Sequence, residues 1–214
     1  MHNPKQVAKT LLEIKAVVLR PNEPFTFASG IKSPIYCDNR LLMGYPEKRR
    51  FICDQFAELI KENNLEFDVV AGTAMAGIPH AAWLADKLGK PMIYIRDKPK
   101  DHGKQNLIEG KLENGQKVLV VEDLISTGGS SIAAVETARN FGGDVCACIA
   151  IFTYSFEKAR QKFSDAKCPL FTLSNFDVLI EAAEEIDYIT EEDAKKAIEW
   201  NKDPENWGKK MGFQ

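Results

Sequence analysis

No cysteine pair in this 214-residue chain has CxxC spacing, and the five cysteines (Cys37, Cys53, Cys146, Cys148, Cys168) are odd in number. That argues against a disulfide framework and a standard zinc site, and fits buried thiols in a reducing compartment. No run approaches the ~18 uninterrupted apolar residues of a membrane span. Lys5, Lys9, Glu13 and Lys15 break the apolar positions of the first 20 residues. No secretory signal is therefore expected, and the chain reads as cytoplasmic. Charge of one sign is also lacking: 28 Lys+Arg against 31 Asp+Glu leave a net −3. Sequence-independent nucleic-acid binding has no driving force here, so any anion site must be local. Common nucleotide fingerprints are missing too. No Gly-x-Gly-x-x-Gly occurs, and Gly72-x4-Gly77 runs into Ile78-Pro79 where a Walker A loop needs Lys-Ser/Thr. There is no internal repeat and no low-complexity segment.

Apolar residues at 44% and charged residues at 28% are those of an ordinary globular protein. A chain of this length buries roughly 70% of its unfolded surface, enough for a core without staples. Val7, Leu11, Ile14 and Val18 have helical spacing, stopped by Pro21 and Pro24. Residues 25–43 read as a small strand-and-turn unit, and Pro46 opens a second helix that ends at Asn63-Asn64. A rhythm follows. Apolar runs at 67–71, 91–95, 117–121 and 145–152 are separated by helical patterns at 77–88 and 130–141. Such runs indicate a parallel sheet covered on both faces.

The polar stretch 97–109 interrupts the rhythm and predicts a flap. Asn114-Gly115 predicts a tight hairpin returning it antiparallel into 117–121. Beyond residue 155 come a helix at 156–163, a strand at 170–173, and two closing helices with capping-box spacing at Ser174/Asp177 and Thr190/Asp193. The expectation is one domain over 1–214: an N-terminal helix and small hood (about 1–45), a core (about 46–155) and C-terminal helices (about 156–214).

The most informative segment is Val118-Leu119-Val120-Val121-Glu122-Asp123-Leu124-Ile125-Ser126-Thr127-Gly128-Gly129-Ser130. Apolar residues lead into two carboxylates, and a hydroxyl- and glycine-rich turn then opens a helix. Ligands of open parallel sheets bind beyond the carboxyl ends of the strands. A helix start carrying Thr127, Gly128, Gly129 and Ser130 offers free amides, hydroxyls and a positive dipole end, which suits a phosphate. Glu122 and Asp123 suit vicinal sugar hydroxyls, or waters around a divalent cation. Phosphate beside a diol is a ribose 5-phosphate. An ordinary capped helix accounts for the hydroxyls, but not for paired carboxylates and a Gly-Gly.

That segment resembles the phosphoribosyl-pyrophosphate (PRPP) motif of the type I phosphoribosyltransferases. Three more segments resemble the orotate phosphoribosyltransferase family. Phe25-Thr26-Phe27-Ala28-Ser29-Gly30-Ile31-Lys32-Ser33-Pro34-Ile35-Tyr36 is similar to its hood, and Gly72-Thr73-Ala74-Met75-Ala76-Gly77-Ile78-Pro79 to its pyrophosphate loop. Arg96-Asp97-Lys98-Pro99-Lys100-Asp101-His102-Gly103 is similar to its catalytic flap.

The resemblance implies an α/β type I phosphoribosyltransferase fold: a central, mainly parallel sheet flanked by helices, a small N-terminal hood and a flexible catalytic flap. It implies a pentosyltransferase of pyrimidine (UMP) biosynthesis, making orotidine 5′-monophosphate and pyrophosphate from orotate and PRPP. Mg²⁺, carried mainly by PRPP and water rather than by a protein metal site, is implied as cofactor. So is a homodimer whose flap reaches the partner's site. Lys100, His102 and Asp123 are the implied catalytic residues. PRPP falls to Arg96, Lys98, Lys100, His102, Thr73 and the run Glu122, Asp123, Leu124, Ile125, Ser126, Thr127, Gly128, Gly129 and Ser130. Orotate falls to Ser126, Lys32, Tyr36 and Arg40.

Ordinary readings stand beside these. Tyr36 is a lone strand aromatic of the kind that usually fills a core. His80, early in a helix, reads as packed or capping. Gly72 and Gly77 serve either a pyrophosphate or a plain strand-to-helix turn. Ala28 and Ala76 stand where many family members have lysine, and Arg96-Asp97 where many have Arg-Lys. Phe152-Thr153-Tyr154-Ser155 lacks the base-binding arginine of some members, so Lys32 or Arg40 takes the orotate carboxylate instead. A purine phosphoribosyltransferase shares the PRPP motif, but its base has no carboxylate to occupy Lys32 and Arg40. A PRPP-sensing, nucleic-acid-binding regulator needs a basic face that the net charge argues against.

Overall fold

The computed structural model of the protein describes residues 1–27, 29–98 and 107–213. Helix α1 (Pro4–Glu13) starts at Asn3, whose side chain accepts the Gln6 N–H at 3.0 Å, with Pro4 in the first turn where its missing N–H costs nothing. The helix is shorter than its periodicity predicts. Lys15 is left-handed at φ 57°, and Val18 lies in a strand, β1 (Val17–Leu19). The β-branched pair Val17-Val18 prefers the extended state once a partner strand is at hand.

After β1 come β2 (Phe25–Thr26), β3 (Lys32–Ser33) and β4 (Ile35–Cys37). β1 pairs antiparallel with β4, and β2 with β3, forming the hood. A 3-10 helix (Asn39–Gly44) then leads into α2 (Pro46–Glu62), with Pro46 in its first turn as expected.

The core alternates β5 (Val69–Thr73), α3 (Gly77–Leu88), β6 (Met92–Ile95), β7 (Ile108–Glu109), β8 (Lys117–Ile125), α4 (Gly129–Asn140), β9 (Asp144–Thr153), α5 (Glu157–Asp165) and β10 (Leu170–Asn175). These strands form one six-stranded sheet in the order β10-β9-β8-β5-β6-β7, parallel except for β7. Successive residues of a strand serve opposite faces. Leu119 and Val121 pack with α1, α2, α3 and α6 (Phe176–Glu185), whereas Val118 and Val120 pack with α4 and α5. Both faces being covered accounts for the continuous apolar runs. The chain ends in α7 (Glu191–Lys202) and α8 (Pro204–Lys210), with Trp200 and Trp207 buried in the larger core.

Three further expectations are corrected. Asn114-Gly115 makes a turn, with the Gln116 N–H donating to the Glu113 carbonyl at 3.2 Å, but no hairpin follows. β8 is parallel to both its neighbours, and the antiparallel return is β7 against β6. The cap of α6 is Asn175, accepting from the Val178 N–H at 3.0 Å; Ser174 stays in β10 because the strand runs two residues further than its apolar letters. Third, β8 does not stop before the carboxylates: it continues through Glu122 and Asp123 to Ile125. The Thr190/Asp193 capping box is present.

Topology places the site. From β5 the chain moves outward to β6 and β7, then crosses back to β8 and proceeds the other way through β9 and β10. The order therefore reverses between β5 and β8, and a ligand crevice is expected beyond their carboxyl ends.

Candidate active site

Pairing of β8 with β5 ends at Gly72↔Val121, while pairing with β9 continues to Ile125↔Thr153. Glu122 and Asp123 thus lie on a strand that has outrun one neighbour, which opens the crevice beside them. β5 ends at Thr73, whose buried hydroxyl donates to the Val121 carbonyl at 3.2 Å. Residues 74–77 turn into α3, with Met75 79% exposed and the Ala74–Met75 peptide cis. Gly77 carries the tight contact there: a Cβ would overlap the Thr73 hydroxyl and the Val121 carbonyl. At Gly72 a Cβ would stand 2.9 Å from the Ala81 Cβ and the Ile78 Cα. Helix-to-strand packing by itself accounts for both glycines.

Glu122 is 7% exposed. Its Oε1 accepts the Asp123 N–H at 3.0 Å and its Oε2 accepts the Ser131 hydroxyl at 3.2 Å. Burial first, and then the neighbouring Asp123 charge, push its pKa up to about 7. Burial also raises the pKa of Asp123. A carboxyl whose folded pKa exceeds its unfolded value stabilises the fold fully below the unfolded pKa, and that contribution is lost as pH rises through the folded one. The ligand-free protein is therefore expected to lose on the order of 2–3 kcal/mol between about pH 4.5 and 7.5 from this group. Glu122→Gln should flatten that slope in urea melts across the same range; an equal slope in the variant would refute the assignment.

At the end of β8, Leu124 packs on the larger core and Ile125 is buried, its carbonyl accepting the Tyr154 N–H and the Thr153 hydroxyl, both at 3.1 Å. Gly128 then adopts φ 74° as the N-cap of α4, and no side chain caps that helix. The first-turn amides are left with the positive dipole end and the exposed Thr127 and Ser130 beside them. Thr73, Arg96 and Ser130, from three separate segments, line one cavity of about 290 Å³. Arg96 donates to the Lys98 carbonyl at 3.2 Å and stands 3.5 Å from Glu109. Its own N–H donates to the Leu107 carbonyl, closing the β6–β7 pair.

The hood covers the other side of Asp123. Asn39, fully buried, donates its amide to the Asp123 carbonyl at 2.8 Å. Tyr36 is 42% exposed, not core, with its ring 5.4 Å from Phe25. Arg40 chelates Asp38 at 2.6 and 2.9 Å, and that partner, with smaller contributions from Tyr36 and Asp123, raises its pKa. Lys32 instead donates to the Thr26 hydroxyl at 3.1 Å, its stem pressed against Gly208 of α8. Arg40 is thus within electrostatic reach of Tyr36 and Asp123 but already committed to Asp38. Ala28, Lys100 and His102 lie outside the described residues.

His80 is packed: 3% exposed and edge-on to Trp83, with its pKa lowered to about 4 by burial. All five cysteines are free. Two residues the motifs did not single out belong to the site's frame, Ser131 beneath Glu122 and Asn39 beneath Asp123. Ser131 was visible only as the second serine after Gly-Gly. Asn39 had no local signal, since its contact spans 84 residues.

A sheet that reverses its order between β5 and β8, paired carboxylates at that point, an uncapped helix start and a covering hood together define a type I phosphoribosyltransferase. The family model described as "Phosphoribosyl transferase domain" matches residues 47–185. Orotate phosphoribosyltransferase of Listeria innocua serovar 6a is 60% identical over 205 residues, 96% of this chain and 98% of the relative. That of Coxiella burnetii is 56% identical over 207 residues, 97% and 99%. The crystal structure of the Aeropyrum pernix enzyme superposes with a TM-score of 0.74 at 28% identity, covering 86% of this chain and 99% of its own. The chain belongs to the orotate phosphoribosyltransferase family, the pentosyltransferases of pyrimidine biosynthesis. Among the described residues no helix is long and apolar enough to cross a membrane.

Proposed function

We propose that this site joins orotate to PRPP with the ribose 5-phosphate end at the start of α4, the ribose over Asp123, and the pyrophosphate toward Thr73 and Arg96. The uncapped start of α4, one turn beyond Asp123 on the strand that outruns β5, is the observation that carries this reading; Thr73, Arg96 and Ser130 add a shared cavity beside it, which Asp123 does not line. No covalent nucleophile is needed. Positive charge grows on the ribose ring as the anionic pyrophosphate leaves, so the protein's work is positioning and charge stabilisation. The α4 amides with Ser126, Thr127 and Ser130 hold the phosphate. Asp123, with Glu122 behind it, faces the ribose hydroxyls and the cationic ring. Arg96 and Lys98, with Lys100 and His102 by the family resemblance, meet the leaving pyrophosphate. Tyr36, Arg40, Lys32 and Ser126 flank the orotate.

No cluster of three or more metal-ligating side chains occurs among the described residues. Asp123 is the carboxylate left to the crevice, which suits a Mg²⁺ carried mainly by PRPP and water, since that ion keeps waters and substrate phosphates and needs few protein ligands. Bound with PRPP, the ion adds positive charge to the leaving group. The enzyme is read as a cytoplasmic homodimer. Leu41, Met43 and Tyr45 leave large apolar side chains exposed along one segment, as a covered face would.

The test is a panel of bases with PRPP and Mg²⁺, scoring pyrophosphate release. Orotate is expected to be the substrate, with adenine, guanine and xanthine giving none above background. Release with a purine and not with orotate would overturn this reading.

A further inference from the structure

Helix α5 is packed directly on the turn that opens α4. A Cβ at Gly128 would meet the Phe163 Cε2 at 3.3 Å and the Ala159 Cα at 3.5 Å, and one at Gly129 would meet the Lys162 Nζ at 3.2 Å. The Lys162 ammonium therefore rests beside the first-turn amides of α4. Its side chain is half-buried and has no hydrogen-bond or ion-pair partner among the described residues. The acidic residues of its own helix are engaged elsewhere: Glu157 with Arg160 at 2.6 Å and Asp165 with Gln161 at 2.6 Å.

This placement is electrostatically unfavourable as it stands. A cation beside the positive end of a helix repels the dipole, and partial burial removes water that would screen the two. Lysines on surface helices ordinarily carry the ammonium away along a flexible stem, or pair it. Lys162 does neither. A dianion between the ammonium and the amides turns both repulsions into attractions, and phosphate accepts from both donor types at once. Gly129 is what permits the approach, because any side chain there would stand between Nζ and the turn.

We propose that Lys162 binds the 5-phosphate of PRPP, adding a cationic contact from α5 to the backbone cradle of α4. This rests on the assignment of residues 126–130 as the phosphate loop. Lys162 would touch the 5-phosphate, whose charge does not change between ground and transition state, so its contact is uniform binding and should govern KM rather than kcat.

The experiment measures inhibition against PRPP by ribose 5-phosphate and by pyrophosphate in the full-length enzyme. For Lys162→Met, the KM for PRPP and the inhibition constant of ribose 5-phosphate are expected to rise about tenfold, the scale of one charged hydrogen bond. The kcat, the KM for orotate and the inhibition constant of pyrophosphate should stay within about twofold. Lys162→Arg should stay within about threefold of wild type throughout, and Lys162→Gln replaces Lys162→Met if circular dichroism shows misfolding. Equal weakening of ribose 5-phosphate and pyrophosphate would mean a structural role and refute the proposal. Gly129→Val separates the two layers. If it weakens ribose 5-phosphate and Lys162→Met does not, the phosphate loop stands and the lysine's role falls. If neither variant changes ribose 5-phosphate binding, the loop assignment falls, and the lysine proposal with it.

Discussion

Asp123→Asn is expected to lower kcat roughly a hundredfold while changing the KM for PRPP by less than threefold. The substitution keeps the side chain's shape and removes only its charge. Asp123 lies on a strand fixed on one side by β9 and by the Asn39 amide at its carbonyl, so little rearrangement is open to it. Burial raises its pKa, meaning that its negative charge is poorly solvated in the resting site. A ribose ring turning cationic supplies the missing counter-charge, and the attraction is strongest at the transition state. Loss of one such preorganised contact costs on the order of 3 kcal/mol. Steady-state kinetics with both substrates varied checks the split. An unchanged kcat with a raised KM would assign Asp123 to holding ground-state hydroxyls only.

Much of that site is written locally in the chain. Strand and helix letters alternate through β5, α3, β8, α4 and β9, and α3 occupies Gly77–Leu88 as its periodicity predicts. Motif residues at Thr73, Arg96 and Ser130 do converge on one cavity. What local pattern misreads is where a strand stops. Glu122 and Asp123 look like the end of an apolar run, yet β8 continues to Ile125 because β9 pairs with it that far. Val18 looks helical until β4 supplies a ladder. The polar stretch announces a return strand, but only tertiary structure chooses β6 over β8 as its neighbour. Side chains that matter through distant contacts leave no local trace. Asn39 reaches Asp123 across 84 residues, and Lys162 reaches Gly129 from the next helix. Arg40 shows the converse: named by its charge as a ligand for orotate, it is already chelated by Asp38, two residues away.

Lys100→Ala and Asp123→Ala should each leave the enzyme nearly dead, yet the two co-expressed should recover about a quarter of wild-type activity. The expectation follows from the proposed dimer, in which the flap residues of one subunit serve the site of the other. The chain leaves the sheet after β6 and rejoins it as β7, at the sheet's edge, while Asp123 sits on β8. Two strand spacings, about 10 Å, separate β6 from β8. A chain of the length between Ile95 and Ile108 is long enough to span about 10 Å within one subunit, so distance alone does not choose. Symmetry does. If the flap acts across the two-fold, a mixed dimer gathers both lesions in one site and leaves the other whole. Random pairing of equal amounts makes about half the dimers mixed, and so about a quarter of all sites intact. If the flap serves its own subunit, every site in a mixed dimer carries one lesion and nothing is recovered. Dimers purified through two different affinity tags, assayed beside each homodimer, decide between the two. Recovery confined to the doubly tagged fraction supports the shared site, and its absence there would return the flap to its own subunit.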